Sequence, residues 1–105
     1  GSVNLNKMIG SIALYLLIGL FFSVLYTLLL HFSPDALRGL EPAHSLEHLS
    51  TTNYFSFVTL TTLGYGEIVP VTPLARVIVI IEAVVGMFYL ATVVASLVGA
   101  MRPKN

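Results

Sequence analysis

Of the 105 residues, 56% are apolar and only 10% are charged, five basic against five acidic, where an ordinary soluble domain carries roughly 25% charge. Ten charged side chains cannot coat a globule of this length, and a net charge of zero without a basic run argues against nucleic acid as a partner. With no cysteine, disulfides and thiolate metal sites are excluded.

Gly1-Ser2 reads as a cloning remnant, and the abrupt end at Arg102 to Asn105 suggests a fragment of a longer protein. The first element is a helix over residues 5–31. No residue from Ile9 to Phe32 carries a formal charge, and from Val77 to Met101 only Glu82 does. At 1.5 Å rise each run makes a helix of roughly 37 Å, longer than the roughly 30 Å hydrocarbon core of a bilayer. Both can therefore span with some tilt. A secretory signal fits the first run poorly, since the stretch is too long and no small-residue cleavage site followed by a soluble domain comes after it. The chain reads as an all-α integral membrane protein.

Ser33-Pro34-Asp35 ends the first helix, because proline disfavours helix in the residue before it and Asp favours turns. Residues 33–49 hold most of the charge and read as an extramembranous loop. A short helix follows over residues 51–61, with Ser50, Thr51 and Thr52 as candidate N-caps. Eleven residues make roughly 16 Å of helix, half a membrane. It must stop at membrane depth and hand over to Gly64-Tyr65-Gly66-Glu67, where two glycines in three residues oppose helix. Non-helical backbone at that depth is tolerated only where it is buried in protein or lines a watery cavity. Residues 62–66 are thus predicted to line a path, and residues 74–101 to form the second spanning helix. Lys7, Arg102 and Lys104 flank the outer ends of the two spans, which places both termini in the cytoplasm and the loop outside.

A pore that passes a bare monovalent cation must replace its hydration shell with closely spaced oxygens, repeated so that neighbouring ions repel one another onward. Successive carbonyls turned to one side can do this if some residues accept left-handed dihedrals. Gly64 and Gly66 are placed for that. Leu63 and Tyr65 would then point away from the axis into protein, and the Thr62 hydroxyl would reach the inner mouth.

Thr62-Leu63-Gly64-Tyr65-Gly66 resembles the potassium-channel signature TVGYG. Set after a half-membrane helix and between two spans, it makes nearly the whole chain, from about Met8 to Met101, similar to the two-helix pore module of bacterial potassium channels. The resemblance implies a homotetramer in the cell membrane that passes K+ along the carbonyls of Thr62, Leu63, Gly64 and Tyr65. It implies no catalytic chemistry and no cofactor beyond the permeant ion. One chain supplies one wall, and closed rotational symmetry completes the ring. The C-terminal end of the short helix, near Thr61, is expected to aim partial negative charge from unpaired carbonyls at the cavity.

The chain departs from the family pattern at several places. Leu63 stands at the signature's valine, which leaves a less selective cation channel as an alternative. Tyr54-Phe55 replaces a tryptophan pair, and Tyr54 is expected to give Tyr65 a hydroxyl partner. Val58 takes a place that holds a carboxylate in some members, and Glu67 replaces an aspartate, so a filter-closing mechanism built on that acid pair is expected to be absent. Gly86 falls at the family's gating hinge, with close packing against the pore helix as its other reading. Four-residue steps place Leu90, Val94 and Val98 on one stripe, candidates for an apolar cavity lining. Glu82, the one acid within a span, is expected to brace the filter through hydroxyls such as Ser56 or Thr59.

His44-Ser45-Leu46-Glu47-His48 matches the zinc-peptidase pattern H-x-x-E-H. It lies in a short loop with no third ligand held by a scaffold, so a membrane peptidase is a remote alternative. A non-conducting membrane subunit is the other. No arginine-repeat helix precedes the pore segment and no ligand-binding domain follows it in this sequence, which leaves open a regulatory or sensor domain in a longer protein.

Overall fold

The computed structural model describes residues 5–40 and 48–101. Three helices, α1 (Leu5–Phe32), α2 (His48–Leu60) and α3 (Pro73–Met101), are joined by loops that pair in two-residue strands, β1 (Leu37–Arg38) and β2 (Val69–Pro70). The molecule is a rod of 59 × 22 × 20 Å, set by helices of 28 and 29 residues. Each is roughly 42 Å long at 1.5 Å per residue.

α1 and α3 are apolar on all sides, a pattern found in membrane spans and in the cores of large proteins. The second option fails. In the most apolar stretch of each helix only 22% of α1 and 11% of α3 is buried within the chain. What remains must face lipid or another copy, so this is a membrane protein.

The buried part lies toward the loop end. Phe22, Ser23, Tyr26, Leu29 and Leu30 form one face of α1, at the spacing that keeps residues on one side of a helix. Phe55 and Ser56 of α2, Ala75 and Glu82 of α3, and Ala36, Leu37 and Ile68 from the loops close over them. Tyr26 packs edge-on against Phe55, with ring centroids 5.1 Å apart.

α3 begins at Pro73, one residue before the expected start. Thr72 caps it, its hydroxyl accepting the Ala75 amide at 3.2 Å, and proline suits the first helical position. α2 begins at His48, three residues earlier than expected. Ser50, Thr51 and Thr52 therefore lie inside it and are not its caps. The Thr52 hydroxyl instead lies 2.8 Å from that of Thr27 and 3.2 Å from the Leu49 carbonyl.

The strands are an addition to the all-α expectation. Leu37 pairs with Pro70 and Arg38 with Val69, antiparallel, and the Val71 amide donates to the Ala36 carbonyl at 2.9 Å. Gly39 permits the pairing. Its φ is +99°, and a Cβ there would strike the Glu67 carbonyl. The loop after α1 is thereby fastened beside the chain that leaves residues 62–66. His44 to Glu47 of the zinc-peptidase pattern lie outside the described residues, and no group of three or more potential metal ligands occurs among those described.

Candidate functional site

α2 runs out at Leu60, and its last four carbonyls are all occupied. Phe57 O accepts from the Thr61 amide at 3.0 Å and the Thr61 hydroxyl at 2.6 Å. Val58 O accepts from the Gly64 amide and Thr59 O from the Thr62 amide, both at 3.1 Å. Leu60 O accepts from the Tyr15 hydroxyl of α1, also at 3.1 Å. The unpaired carbonyls expected near Thr61 thus begin at Thr61 itself, one residue past the helix. Any field from α2 comes from its aligned peptide dipoles, and the first free oxygens lie beyond the helix.

Those oxygens belong to residues 61–65, whose carbonyls accept no hydrogen bond among the described residues. The backbone around them alternates. Thr62 has φ +64°, Gly64 +57° and Gly66 +84°, while Leu63 and Tyr65 between them keep negative φ. Alternation of this kind turns consecutive carbonyls toward one side, whereas a strand would alternate them. Glycine takes these dihedrals freely. Thr62 does not, and a β-branched residue with positive φ is an outlier costing roughly 1–3 kcal/mol. The bond from its amide back to Thr59 O is the one that ends many helices, where glycine is the usual residue. Threonine held in that place is local backbone strain.

The whole run from Thr61 to Glu67 is exposed. Leu63 and Tyr65 are 54% and 67% accessible, so any protein they pack into belongs to another copy. Tyr54, expected to serve Tyr65, donates its hydroxyl to Glu67 Oε1 of its own chain. The two supporting residues are thus partners of each other, at the exit of the segment.

Glu82 is completely buried, as are Tyr26 and Ser56. Its Oε1 accepts from the Tyr26 hydroxyl at 2.8 Å, and its Oε2 lies 2.5 Å from Ser56 Oγ. Ser56 Oγ is also 2.7 Å from the Gly19 carbonyl. Thr59, the other hydroxyl expected, is not among the partners of Glu82. Three helices therefore meet at one carboxyl group.

Gly86 lies against the end of α2. A Cβ there would collide with the Leu60 carbonyl oxygen and sit 2.8 Å from Leu60 Cδ1. α3 runs unbroken through this point. Tyr89, three residues on, stacks on Tyr15 with ring centroids 5.5 Å apart and planes 22° apart, and its hydroxyl donates to the Ser11 carbonyl. Leu90 borders a crevice between α1 and α3 that Tyr15, Tyr89 and Lys7 also line. Val94 and Val98, one and two turns further along α3, line a second hollow with Ala91, Ala95 and Gly99. All three are exposed within the chain.

Sequence reasoning did not single out Tyr15, Tyr26, Gly19 or Gly39. Tyr15 and Tyr26 carry a weak signal as phenols in a lipid-length run, because a buried Tyr hydroxyl usually has a partner. Gly39 carries none, since what it avoids is a carbonyl 28 positions away.

Two spanning helices that hold a re-entrant half-helix and an irregular, carbonyl-lined segment define a pore-loop membrane protein. The chain belongs to the ion channel family, whose model matches residues 12–102. It is a channel domain and not an enzyme. It is 39% identical over 64 residues to "Voltage-gated potassium channel Kch" of Escherichia coli (strain K12), covering 61% of this chain and 15% of that protein. With "Inward rectifier potassium channel Kirbac3.1" of Paramagnetospirillum magnetotacticum it shares 49% identity over 47 residues, 45% of this chain and 16% of the other. With "Two-pore potassium channel 1" of Arabidopsis thaliana it shares 35% over 75 residues, 71% of this chain and 18% of the other. The aligned segments span less than a fifth of the length of each of these relatives.

Proposed function

We propose that four copies of this chain enclose a potassium-selective pore and conduct K+ passively through the carbonyl oxygens of Thr62, Leu63, Gly64 and Tyr65. The observation that carries this is the run of carbonyls without hydrogen-bond partners, set on backbone of alternating φ, directly beyond a helix end whose own carbonyls are all taken. Such oxygens are free to replace an ion's hydration shell. Gly66 completes the turn outward, and the Thr62 hydroxyl adds a ligand at the inner mouth. The relatives named as potassium channels support the choice of ion.

Exposure of the filter and of most of α3 supports the tetramer, because irregular backbone at membrane depth has to be covered by protein or line water. In this arrangement Tyr54 and Glu67 hold the outer end of the filter, and Glu82 holds α2 from behind. Val94 and Val98 line the cavity below, with Leu90 at its edge toward α1. Gly86, closely packed on Leu60, is where α3 bends if the inner ends part. Both termini are cytoplasmic, the membrane is the plasma membrane, and the pathway needs no cofactor besides the permeant ion.

The test is the reversal potential of the purified, reconstituted chain in a planar bilayer under opposed potassium and sodium gradients. A value at the potassium equilibrium potential is expected. Leu63, larger than the valine of the signature, favours a second reading, a less selective monovalent cation pore. Real current reversing near zero would install that reading in place of the first.

A further inference from the structure

The buried cluster at Glu82 can be counted proton by proton. A serine hydroxyl has one hydrogen, a backbone carbonyl has none, and a carboxyl group has one only when it is protonated. Ser56 Oγ lies within hydrogen-bonding distance of two oxygens, the Gly19 carbonyl at 2.7 Å and Glu82 Oε2 at 2.5 Å. Were Glu82 a carboxylate, the single Ser56 proton would have to serve both. One of the two short contacts would then be oxygen against oxygen with nothing between. If Glu82 carries a proton on Oε2, every gap is filled. The Tyr26 hydroxyl donates to Oε1, Glu82 donates to Ser56, and Ser56 donates to the Gly19 carbonyl.

Charge gives the same answer. The carboxyl is completely buried by its own chain, so neither water nor a neighbouring copy reaches it. From α1 it is faced by the phenols of Tyr26 and Tyr15, the latter already committed to Leu60 O. From α2 it is faced only by uncharged hydroxyls. On α3, Arg76 is exposed and six residues away, roughly 9 Å along the axis. Asp35, Arg38 and Glu67 belong to the loops, and none of them bonds to Glu82. A buried carboxylate without a cation is among the costliest arrangements a membrane interior offers.

We propose that Glu82 acts as a neutral carboxylic acid and a hydrogen-bond donor, the middle link of a directed chain Tyr26 → Glu82 → Ser56 → Gly19 carbonyl. It is a positioning residue, tying α1, α2 and α3 together behind the filter, and it rests on the pore reading only for what it positions. Loss of its proton leaves one hydrogen for two acceptors at Ser56, so either the α1–α2 link or the α2–α3 link must open.

Infrared spectroscopy of the reconstituted protein at neutral pH tests this, with wild type compared against Glu82→Gln. A carboxylic-acid C=O stretching band in the wild type that vanishes in E82Q is expected. The amide of E82Q can accept from Tyr26 and donate to Ser56, so E82Q is also expected to keep the wild-type thermal dissociation temperature of the oligomer. Glu82→Met, which can do neither, should lower it by about 5 °C or more. Absence of any protonated-carboxyl band that depends on Glu82 overturns the proposal, as does an E82Q as unstable as E82M. Both readouts are independent of ion flow. A reversal potential near zero would remove the potassium reading and leave this one standing.

Discussion

Gly86→Ala sets two magnitudes against each other. In an exposed helix the change is favourable by about 1 kcal/mol, because alanine restricts the unfolded chain and glycine does not. At position 86 the added methyl meets the Leu60 carbonyl oxygen at a separation no real Cβ adopts, and Leu60 Cδ1 at 2.8 Å. The side chain of Leu60 can rotate aside, but its carbonyl cannot. It is part of the α2 terminus, Leu60 is fully buried, and the same oxygen holds the Tyr15 hydroxyl. α3 must therefore back away from α2, and overpacking of this kind costs about 1–3 kcal/mol. The clash outweighs the propensity gain, so G86A should lower stability by about 1 kcal/mol per chain, or about 5 °C in dissociation temperature. Gly10→Ala is the control, since a Cβ there has nothing within 4 Å in the chain and only the favourable term acts. Thermal dissociation of the detergent-solubilised oligomer, followed for wild type, G86A, G10A, Leu60→Ala and G86A/Leu60→Ala, separates the contributions. Leu60→Ala alone leaves a cavity at a buried site and lowers stability on its own account, so the G86A loss should be smaller when measured against Leu60→Ala than against wild type, the remainder being the clash with the carbonyl. A G86A protein at least as stable as G10A would refute the close-packing argument outright.

Gly39→Ala should be more damaging than G86A, because both its φ of +99° and the Glu67 carbonyl forbid a Cβ. Reduced single-channel current together with lowered dissociation temperature is the expected result. Tyr15→Phe removes only the hydroxyl on Leu60 O, and should cost about 1 kcal/mol, read by chemical denaturation in detergent. Thr62→Gly relieves the left-handed strain and should stabilise the protein by about 1 kcal/mol. The same change deletes a hydroxyl from the inner mouth, so potassium-over-sodium selectivity in bilayer recordings should fall as stability rises.

The spans and the half-helix between them are legible in the sequence because their cause is local. A charge is absent or it is not, and a helix of about a dozen residues closed by Gly64 and Gly66 cannot cross a bilayer. Gly86 is legible as a special position, but not which role it has, because that depends on Leu60 lying opposite. Glu82 is legible as a costly residue in search of partners. Ser56 could be guessed from the neighbouring helix, while Tyr26 lies 56 positions away and depends on how α1 turns. The strands are invisible because two residues have no period. Thr62 is legible as part of a motif, and its positive φ is not, since threonine is the last residue that propensity would place there.

The small pairing of Leu37 and Arg38 with Val69 and Pro70 has a consequence for how such a protein can diversify. It fastens one end of the connection between α1 and α2, and the Thr27–Thr52 hydroxyl contact fastens the start of α2 at the other. Whatever sequence joins Leu40 to His48 is therefore anchored at both ends by contacts it does not itself make. Lengthening an anchored connection is cheap, about 0.6 kcal/mol for each doubling. New residues grafted there, an epitope or a recognition peptide, would change what this end of the molecule offers to other molecules and leave residues 62–66 where they are.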